Sequence, residues 1–289
     1  MSDTTVFLNG QFLPLDEARI SPLDRGFLFG DGAYELIPVY SRRPFRLHEH
    51  LARLQNTLDG IRLANPHDVA AWTASIGELI RRSPTEDQSI YLQVTRGADR
   101  KRDHAFPADI TPTVFMMSTP LATPTAAQRA AGGAAITVVD NRWLRCDLKV
   151  LALLPNVLLR QQAIDSDSVE AILLRDGYLT EGAASNIFVV KDGVVLAPPK
   201  SHLLLPGVTY DVVLDLAARH GQPCVVREIE DHELRSADEL WMTSSTREVF
   251  PLTRLDGQPV GSGRPGPVGE QMHAWYQRFK NDVMRKADA

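Results

Sequence analysis

Short alternating apolar runs and longer helical ones succeed each other along this chain, separated by recognisable turn signals. Val6-Phe7-Leu8 and Gln11-Phe12-Leu13 flank Asn9-Gly10, and comparable signals stand at Asp176-Gly177, Asp192-Gly193 and Asp256-Gly257. Each dipeptide accepts the positive backbone angles of a tight hairpin turn, so the pattern predicts plentiful antiparallel sheet. Within residues 48–64, Leu51, Leu54, Leu58 and Ile61 fall three or four residues apart and share one helical face, with Arg53 to its side. Further helices are predicted over residues 69–82, 150–164 and 208–220, the last stopped by Gly221. Strand-like runs lie at 90–94 and 114–117 in the first half, and at 136–139, 171–174, 187–190 and 240–243 in the second.

Residues 120–133 are rich in Pro, Ala, Thr and Gly and carry little apolar periodicity, as connections between domains do. The expected organisation is therefore an N-terminal α/β domain over 1–119, a linker over 120–133 and a C-terminal α/β domain over 134–289. The fold class is mixed α/β (α+β), and no internal repeat or low-complexity tract interrupts it. A length of 289 residues, with 44% hydrophobic and 23% charged, suits packed domains of ordinary size. The net charge of -5 offers no broad basic field, which argues against nucleic acid as a partner. With only Cys146 and Cys224, neither a disulfide framework nor a four-cysteine zinc site can be built, and a reducing cytoplasm is expected. Residues 1–5 lack a signal-peptide pattern and no apolar run approaches the ~20 residues of a membrane span, so a soluble, unprocessed protein is expected.

The most informative residue is Lys149, set among Leu148, Val150, Leu151, Leu153 and Leu154. Apolar surroundings disfavour the ammonium form, and a neutral amine is what attack on a carbonyl requires. The same pattern also suits a lysine whose stem covers a core while its head reaches water. Glu181, in Thr180-Glu181-Gly182 at an expected hairpin end, is either a solvated turn carboxylate or a buried acceptor for a protonated ring nitrogen. Pro206-Gly207-Val208-Thr209 leads into a helix, and Thr243-Ser244-Ser245-Thr246 follows a strand; both are caps or turns, or both offer donors to a phosphate. The chain has no G-x-x-x-x-G-K-[ST], H-E-x-x-H or G-x-S-x-G, and Gly26, Gly30 and Gly32 do not make the dinucleotide fingerprint. His48-Glu49-His50 lacks metal-ligand spacing and reads as a helix start, so no metal is expected.

Taken together, these segments resemble the fold-type IV pyridoxal-phosphate enzymes, among them branched-chain aminotransferases, D-amino acid aminotransferases and aminodeoxychorismate lyases. The likeness runs through Asp24-Arg25-Gly26-Phe27, Phe29-Gly30-Asp31-Gly32-Ala33-Tyr34-Glu35 and Glu49-His50-Leu51-Ala52-Arg53-Leu54. It continues through Lys149, Thr180-Glu181-Gly182 with Ser185-Asn186, Pro206-Gly207-Val208-Thr209 and Thr243-Ser244-Ser245. The resemblance implies pyridoxal 5'-phosphate at the interface of two domains, with Lys149 as its Schiff-base residue and as the acid/base at the substrate α-carbon. It implies that Arg53 binds the phosphate with Val208, Thr209, Ser244 and Ser245, and that Glu181 pairs with the pyridine nitrogen.

Within the family, Arg142-Trp143-Leu144-Arg145-Cys146-Asp147-Leu148-Lys149 and Gln93-Val94-Thr95-Arg96-Gly97, followed by Arg102-Asp103-His104-Ala105-Phe106-Pro107, are most similar to the bacterial D-amino acid aminotransferase branch. That likeness implies a carboxylate trap made of Tyr34, Arg102 and His104, the last two reaching in from the other subunit of a homodimer. A bidentate arginine suits a carboxylate, with imidazole and phenol as further donors. Substrates would be a D-amino acid such as D-alanine or D-glutamate and a 2-oxo acid such as 2-oxoglutarate. Branched-chain L-amino acid transamination, R-amine transamination and the aminodeoxychorismate lyase reaction are alternatives on the same scaffold; a non-catalytic cofactor carrier or interaction protein is the alternative of another class. Ala183-Ala184 stands where some members have serines, and Pro38 sits on a strand expected to line the substrate pocket; both bear on specificity.

Overall fold

The computed structural model describes residues 4–286, and the chain divides into two compact units. The first runs Met1–Leu121 and takes back the segment Leu148–Leu153; the second comprises Ala122–Asp147 and Leu154–Ala289.

The first unit is an antiparallel sheet of six strands in the order β2-β1-β6-β5-β3-β4. These are β1 (Thr5–Leu8), β2 (Gln11–Pro14), β3 (Gly32–Tyr40), β4 (Arg43–Pro44), β5 (Gln88–Thr95) and β6 (Thr113–Pro120). The short helix α1 (Arg25–Phe29) precedes β3, while α2 (Leu47–Gly60) and α3 (Val69–Arg82) follow β4. Alternate residues Ala33, Ile37 and Val39 of β3 and Ile90, Leu92 and Val94 of β5 share one core with Leu51, Leu54 and Leu58 of α2 and Trp72, Ile76 and Leu79 of α3. Tyr34, on the opposite pleat to Ala33 and Glu35, is half-buried.

The second unit holds a sheet of nine strands in the order β12-β11-β10-β13-β14-β7-β8-β9, with β15 paired to β14. They are β7 (Gly133–Val139), β8 (Glu170–Arg175), β9 (Tyr178–Gly182), β10 (Asn186–Lys191), β11 (Val194–Ala197), β12 (Cys224–Val226), β13 (Glu239–Ser244), β14 (Glu248–Leu255) and β15 (Gln258–Pro259). Five α-helices accompany them among the described residues: α4 (Ala126–Ala131), α5 (Leu154–Asp165), α6 (Val208–His220), α7 (Asp231–Arg235) and α8 (Pro267–Phe279). β7 pairs in parallel with both β8 and β14, whereas β8-β9, β10-β11 and β14-β15 are antiparallel hairpins.

All four hairpin dipeptides turn where the pattern predicts, each with positive φ at both residues, from Asn9 at 48° and Gly10 at 89° to Asp256 at 48° and Gly257 at 78°. Gly221 ends α6 in the left-handed conformation. Two expectations need correction. The helix predicted from residue 150 begins at Leu154, and Lys149 groups with the first unit instead of riding on a C-terminal domain. One cause explains both: Lys149–Leu151 lies extended along the end of β3 that β4 leaves unpaired, where Tyr34 N donates to the Lys149 carbonyl and Leu151 N to that of Gly32, both at 3.0 Å. A strand edge offers unpaired amides and carbonyls, and pairing with them outweighs helix propensity for a short apolar run. The approach is close enough that a Cβ at Gly32 would collide with the Val94 carbonyl and the Leu151 side chain. The expected linker is also more structured than its composition suggests: it holds α4, started by a capping box between Thr125 and Gln128.

The first turn of α8 is capped from across the fold. Its N-cap residue Gly266 has no side chain to do so, and buried Glu239 at the start of β13 accepts from Val268 N at 2.9 Å and Gly269 N at 2.7 Å. A carboxylate on a helix N-terminus satisfies orphan amides and the helix dipole together. Glu239→Ala should therefore destabilise the protein by about 2 kcal/mol, and Glu239→Gln by less, as read by the urea midpoint. Equal midpoints for wild type and Glu239→Ala would show that the cap contributes nothing.

Candidate active site

In the first unit, the residues expected to do chemistry gather around β3. Lys149 is half-buried between Leu148 and Val150, and its backbone is fixed on the β3 edge and by Thr57 Oγ1, which accepts from Lys149 N at 3.2 Å. Its Nζ lies 4.2 Å from the centre of the Tyr34 ring and has no carboxylate partner among the described residues. An amine resting on an aromatic face, free of a counter-charge, is available for bond formation.

One pleat further along, Glu35 points the other way, into a fully buried cluster with α2. Arg53 Nε and Nη2 each donate to it at 2.7 Å, and His50 Nδ1 stands 2.8 Å from Oε2. Burial alone would raise the Glu35 carboxyl; Arg53 and His50 hold it well below the usual range instead. Burial pushes His50 down, which makes it a neutral imidazole that donates from Nδ1 and leaves Nε2 as an acceptor. His50 Nε2 is buried and has no partner. Arg53, expected as a bidentate phosphate ligand, here closes its fork on Glu35, which fixes the plane of the guanidinium.

The second unit supplies a different set. Glu181 is not at a solvated turn: it lies inside β9, buried, with Arg142 on Oε1 and Leu205 N donating to Oε2 at 3.0 Å. Asn186 Nδ2 approaches the same oxygen at 3.4 Å and donates to the Leu205 carbonyl at 2.9 Å. Behind Glu181, Arg142 Nε and Nη2 donate to Asp140 at 2.9 Å each, and Arg175 stands 3.0 Å from Asp140. Burial pushes the Glu181 carboxyl up to about 7, only partly offset by Arg142. Arg142 itself stays protonated because Asp140 and Glu181 outweigh its own burial.

Val208 and Thr209 are the first two residues of α6, both buried, behind an N-cap residue, Gly207, that makes no side-chain cap. Asn186 fills the space where a Cβ at Gly207 would stand, so this turn is bare by construction. α6 packs on β13, which ends in Thr243 and Ser244; Thr243 Oγ1 is buried without a partner, Ser244 Oγ accepts from Arg247 N at 3.1 Å, and Ser245 is half-buried. A bare helix N-terminus and an orphaned hydroxyl each suit an anion.

Taken unit by unit, these donor sets suit the groups of a pyridoxal phosphate. The first unit has an unpaired amine and the Arg53 guanidinium; the second has a raised carboxyl that can accept from a ring nitrogen and a helix N-terminus near the orphaned hydroxyl of Thr243.

The proposed trap is not assembled inside one chain. Tyr34 touches Tyr91 and Lys149 but neither Arg102 nor His104. Arg102 and His104 are exposed and both lie on Phe29, at 5.0 and 5.1 Å. Their loop is nonetheless pinned: buried Arg25 donates to the carbonyls of Asp103, His104 and Ala105 at 2.5, 3.2 and 3.3 Å. Residues that sequence reasoning left without a role are Glu35, His50, Asp140, Asn186 and Arg142. Their signal was their presence within or beside the matched segments; their pairing is long-range.

The family model for class IV aminotransferases matches residues 32–255 of this chain. A D-alanine aminotransferase of Bacillus licheniformis is 40% identical over 272 residues, covering 94% of this chain and 95% of its own. One of Staphylococcus epidermidis is 35% identical over 276 residues, covering 96% and 98%. Among solved structures, a branched-chain amino acid aminotransferase from T.th. with pyridoxamine 5'-phosphate matches with a TM-score of 0.89 at 27% identity, over 98% of this chain and 95% of that one.

Glu181 generates a pH signature in the cofactor-free protein. Its carboxyl is raised from 4.5 to about 7, so the folded chain holds the proton more tightly than the unfolded one. The resulting stability is fully present below about pH 4.5 and is lost as pH rises through about 7. Urea unfolding of the apoprotein should show a loss of about 1 to 3 kcal/mol over that window that Glu181→Gln does not share. A wild type and Glu181→Gln pair whose stability difference is the same at both ends would mean that Glu181 is ionised throughout.

Proposed function

The chain belongs to the class IV aminotransferases, and from that premise we propose that it moves the amino group of a D-amino acid to a 2-oxo acid, with pyridoxal 5'-phosphate as cofactor. The substrates are such as D-alanine or D-glutamate with 2-oxoglutarate. The observation that carries amino transfer is the unpaired, half-buried amine of Lys149 on the Tyr34 ring. The D configuration is supported by the names of the Bacillus licheniformis and Staphylococcus epidermidis relatives and by Arg102 and His104 in the spacing of that branch.

When bound, the cofactor supplies an electron-withdrawing ring that stabilises negative charge at the substrate α-carbon. Lys149 would hold the cofactor, and its Nζ would take the proton from the α-carbon and return it after amino transfer. Glu181, fixed by Leu205, Asn186 and Arg142, would hold a proton at the ring nitrogen as its carboxylate partner. Arg53, the amides of Val208 and Thr209 and the hydroxyls of Ser244 and Ser245 would hold the phosphate. Tyr34 would orient the substrate carboxylate together with Arg102 and His104 of a second subunit.

The working form is proposed to be a cytoplasmic homodimer. Phe27 is 78% exposed, and Ile20, Leu23 and Phe106 are exposed in the same unit, apolar side chains that a second copy would cover. The two cysteines are free thiols, which suits a reducing compartment. No helix among the described residues is long and apolar enough to cross a membrane.

Lys149→Ala should lower turnover at least about a thousandfold and remove the visible absorbance of the lysine-bound cofactor. Half-reaction spectra should change with D-alanine and not with L-leucine or L-valine. The reverse result would transfer the assignment to branched-chain L-amino acids. Arg102→Ala should raise the KM for D-alanine about ten- to a hundredfold without altering the absorbance, because a charge-assisted fork on the carboxylate is lost. Mixed dimers of Arg102→Ala and Lys149→Ala subunits should regain activity, since one of the two sites then carries neither lesion. No gain over the parent variants would show that Arg102 acts within its own chain or not at all.

A further inference from the structure

The second unit contains a cavity of about 190 Å3 bounded by α4, β13, β14 and α8 and by none of the residues assigned above to amino transfer. Trp241, Val249, Pro251 and Pro265 make its apolar walls, and Arg129 of α4 and His273 of α8 bring nitrogen to it. Trp241 is 1% exposed, and its Nε1–H, a group that can only donate, has no partner. That edge of the indole faces Gly269, itself a wall of the cavity, whose missing Cβ would stand 3.5 Å from Nε1. A buried donor left unpaired costs stability, and native structures retain few of them.

Arg129 is a second donor, with capacity left over. Its Nη1 donates to the Pro124 carbonyl at 3.3 Å, and no carboxylate pairs with it among the described residues. His273 adds no competing charge: burial and the neighbouring Arg129 push it down to about 4, although Glu248 opposes them. Glu270, exposed, is the acid among the lining residues.

We propose that this cavity is a binding site for a small carboxylate with a flat apolar body. The carboxylate accepts from the Arg129 guanidinium and from Trp241 Nε1, and the body lies against Trp241, Val249, Pro251 and Pro265. Size sets the class. A cavity of roughly 150 Å3 with apolar walls admits one benzene ring, so about 190 Å3 suits a single ring with a short acid arm. The bound acid would tie α4 to the sheet and to α8, elements that otherwise close around open space.

The test is a titration of 4-fluorophenylacetate into the full-length holoenzyme, followed by fluorine NMR and by thermal unfolding. The acid should bind saturably and raise the Tm, and 4-fluorophenylacetamide should bind at least about tenfold more weakly. Arg129→Gln should weaken the acid about tenfold. Trp241→Phe, which keeps the ring and removes the donor, should weaken it several-fold. Absence of saturable binding, equal affinity for acid and amide, or an affinity unchanged in Arg129→Gln would each overturn the proposal. The last outcome would place the probe elsewhere, the catalytic residues included.

Discussion

A lysine amine that is to form and break bonds, the role proposed for Lys149, cannot be left beside a carboxylate, because an ion pair would hold it as ammonium and fix it in place. The first unit meets that constraint by occupying its acids with other cations. Asp31 and Glu35 both flank Tyr34, the residue on which Lys149 rests. Asp31 accepts from Arg25 and Arg96, at 2.8 Å from each Nε, and Glu35 accepts from Arg53 and His50. Neither acid has charge left to offer. Three arginines and a histidine therefore do electrostatic work for one lysine, and they also bind the unit together: Arg96 reaches the carbonyls of Ile61 and Arg62 beyond α2, and Arg25 holds the loop of Arg102 and His104.

The second unit treats its carboxyl in the opposite way. Glu181 is buried, like Glu35, but its guanidinium is shared, since Arg142 gives two donors to Asp140 and one to Glu181. Divided attention from the cation leaves burial in charge, and the carboxyl rises where that of Glu35 falls. A group that titrates near neutrality can follow the charge of what it meets; one held permanently ionised cannot. The same protein thus has one acid that fixes an arginine and another that remains responsive: Glu35 has His50 beside Arg53, whereas Glu181 shares Arg142 with Asp140.

What the sequence makes legible follows from the range of the interactions involved. Hairpin turns are decided within four residues, so Asn9-Gly10 and its three counterparts read directly; α3 and α6 are decided by periodicity and end where it ends. Lys149 stands out for its apolar neighbours, yet the apolar run at 148–154 reads equally as helix, and only the distant edge of β3 makes it extended. Glu181 reads as a turn residue for the same reason: Arg142 lies 39 positions away, Leu205 lies 24 away, and neither spacing is periodic. α4 is a different kind of miss. Thr125-Ala126-Ala127-Gln128 carries a capping box in plain view, but the surrounding prolines and glycines dominate the composition. Glu35 and His50 lie inside matched segments, and their pairing across β3 and α2 depends on packing that no local pattern encodes.

The loop of Arg102 and His104 shows how rigidity and exposure can be separated. A loop that only bridged two strands would need no buried arginine on its carbonyls, because water satisfies exposed backbone. Here Arg25, buried in the first unit, takes that role for three successive residues, while the side chains of Arg102 and His104 stand outside on Phe29. Ordering the backbone costs conformational entropy of about 1 to 2 kcal/mol per residue, and nothing within the chain is clamped in return. Such an arrangement makes physical sense where the side chains act on something that the same chain does not contain. If Arg102 and His104 bind as proposed, the order of the backbone reduces what is lost when a partner or substrate arrives.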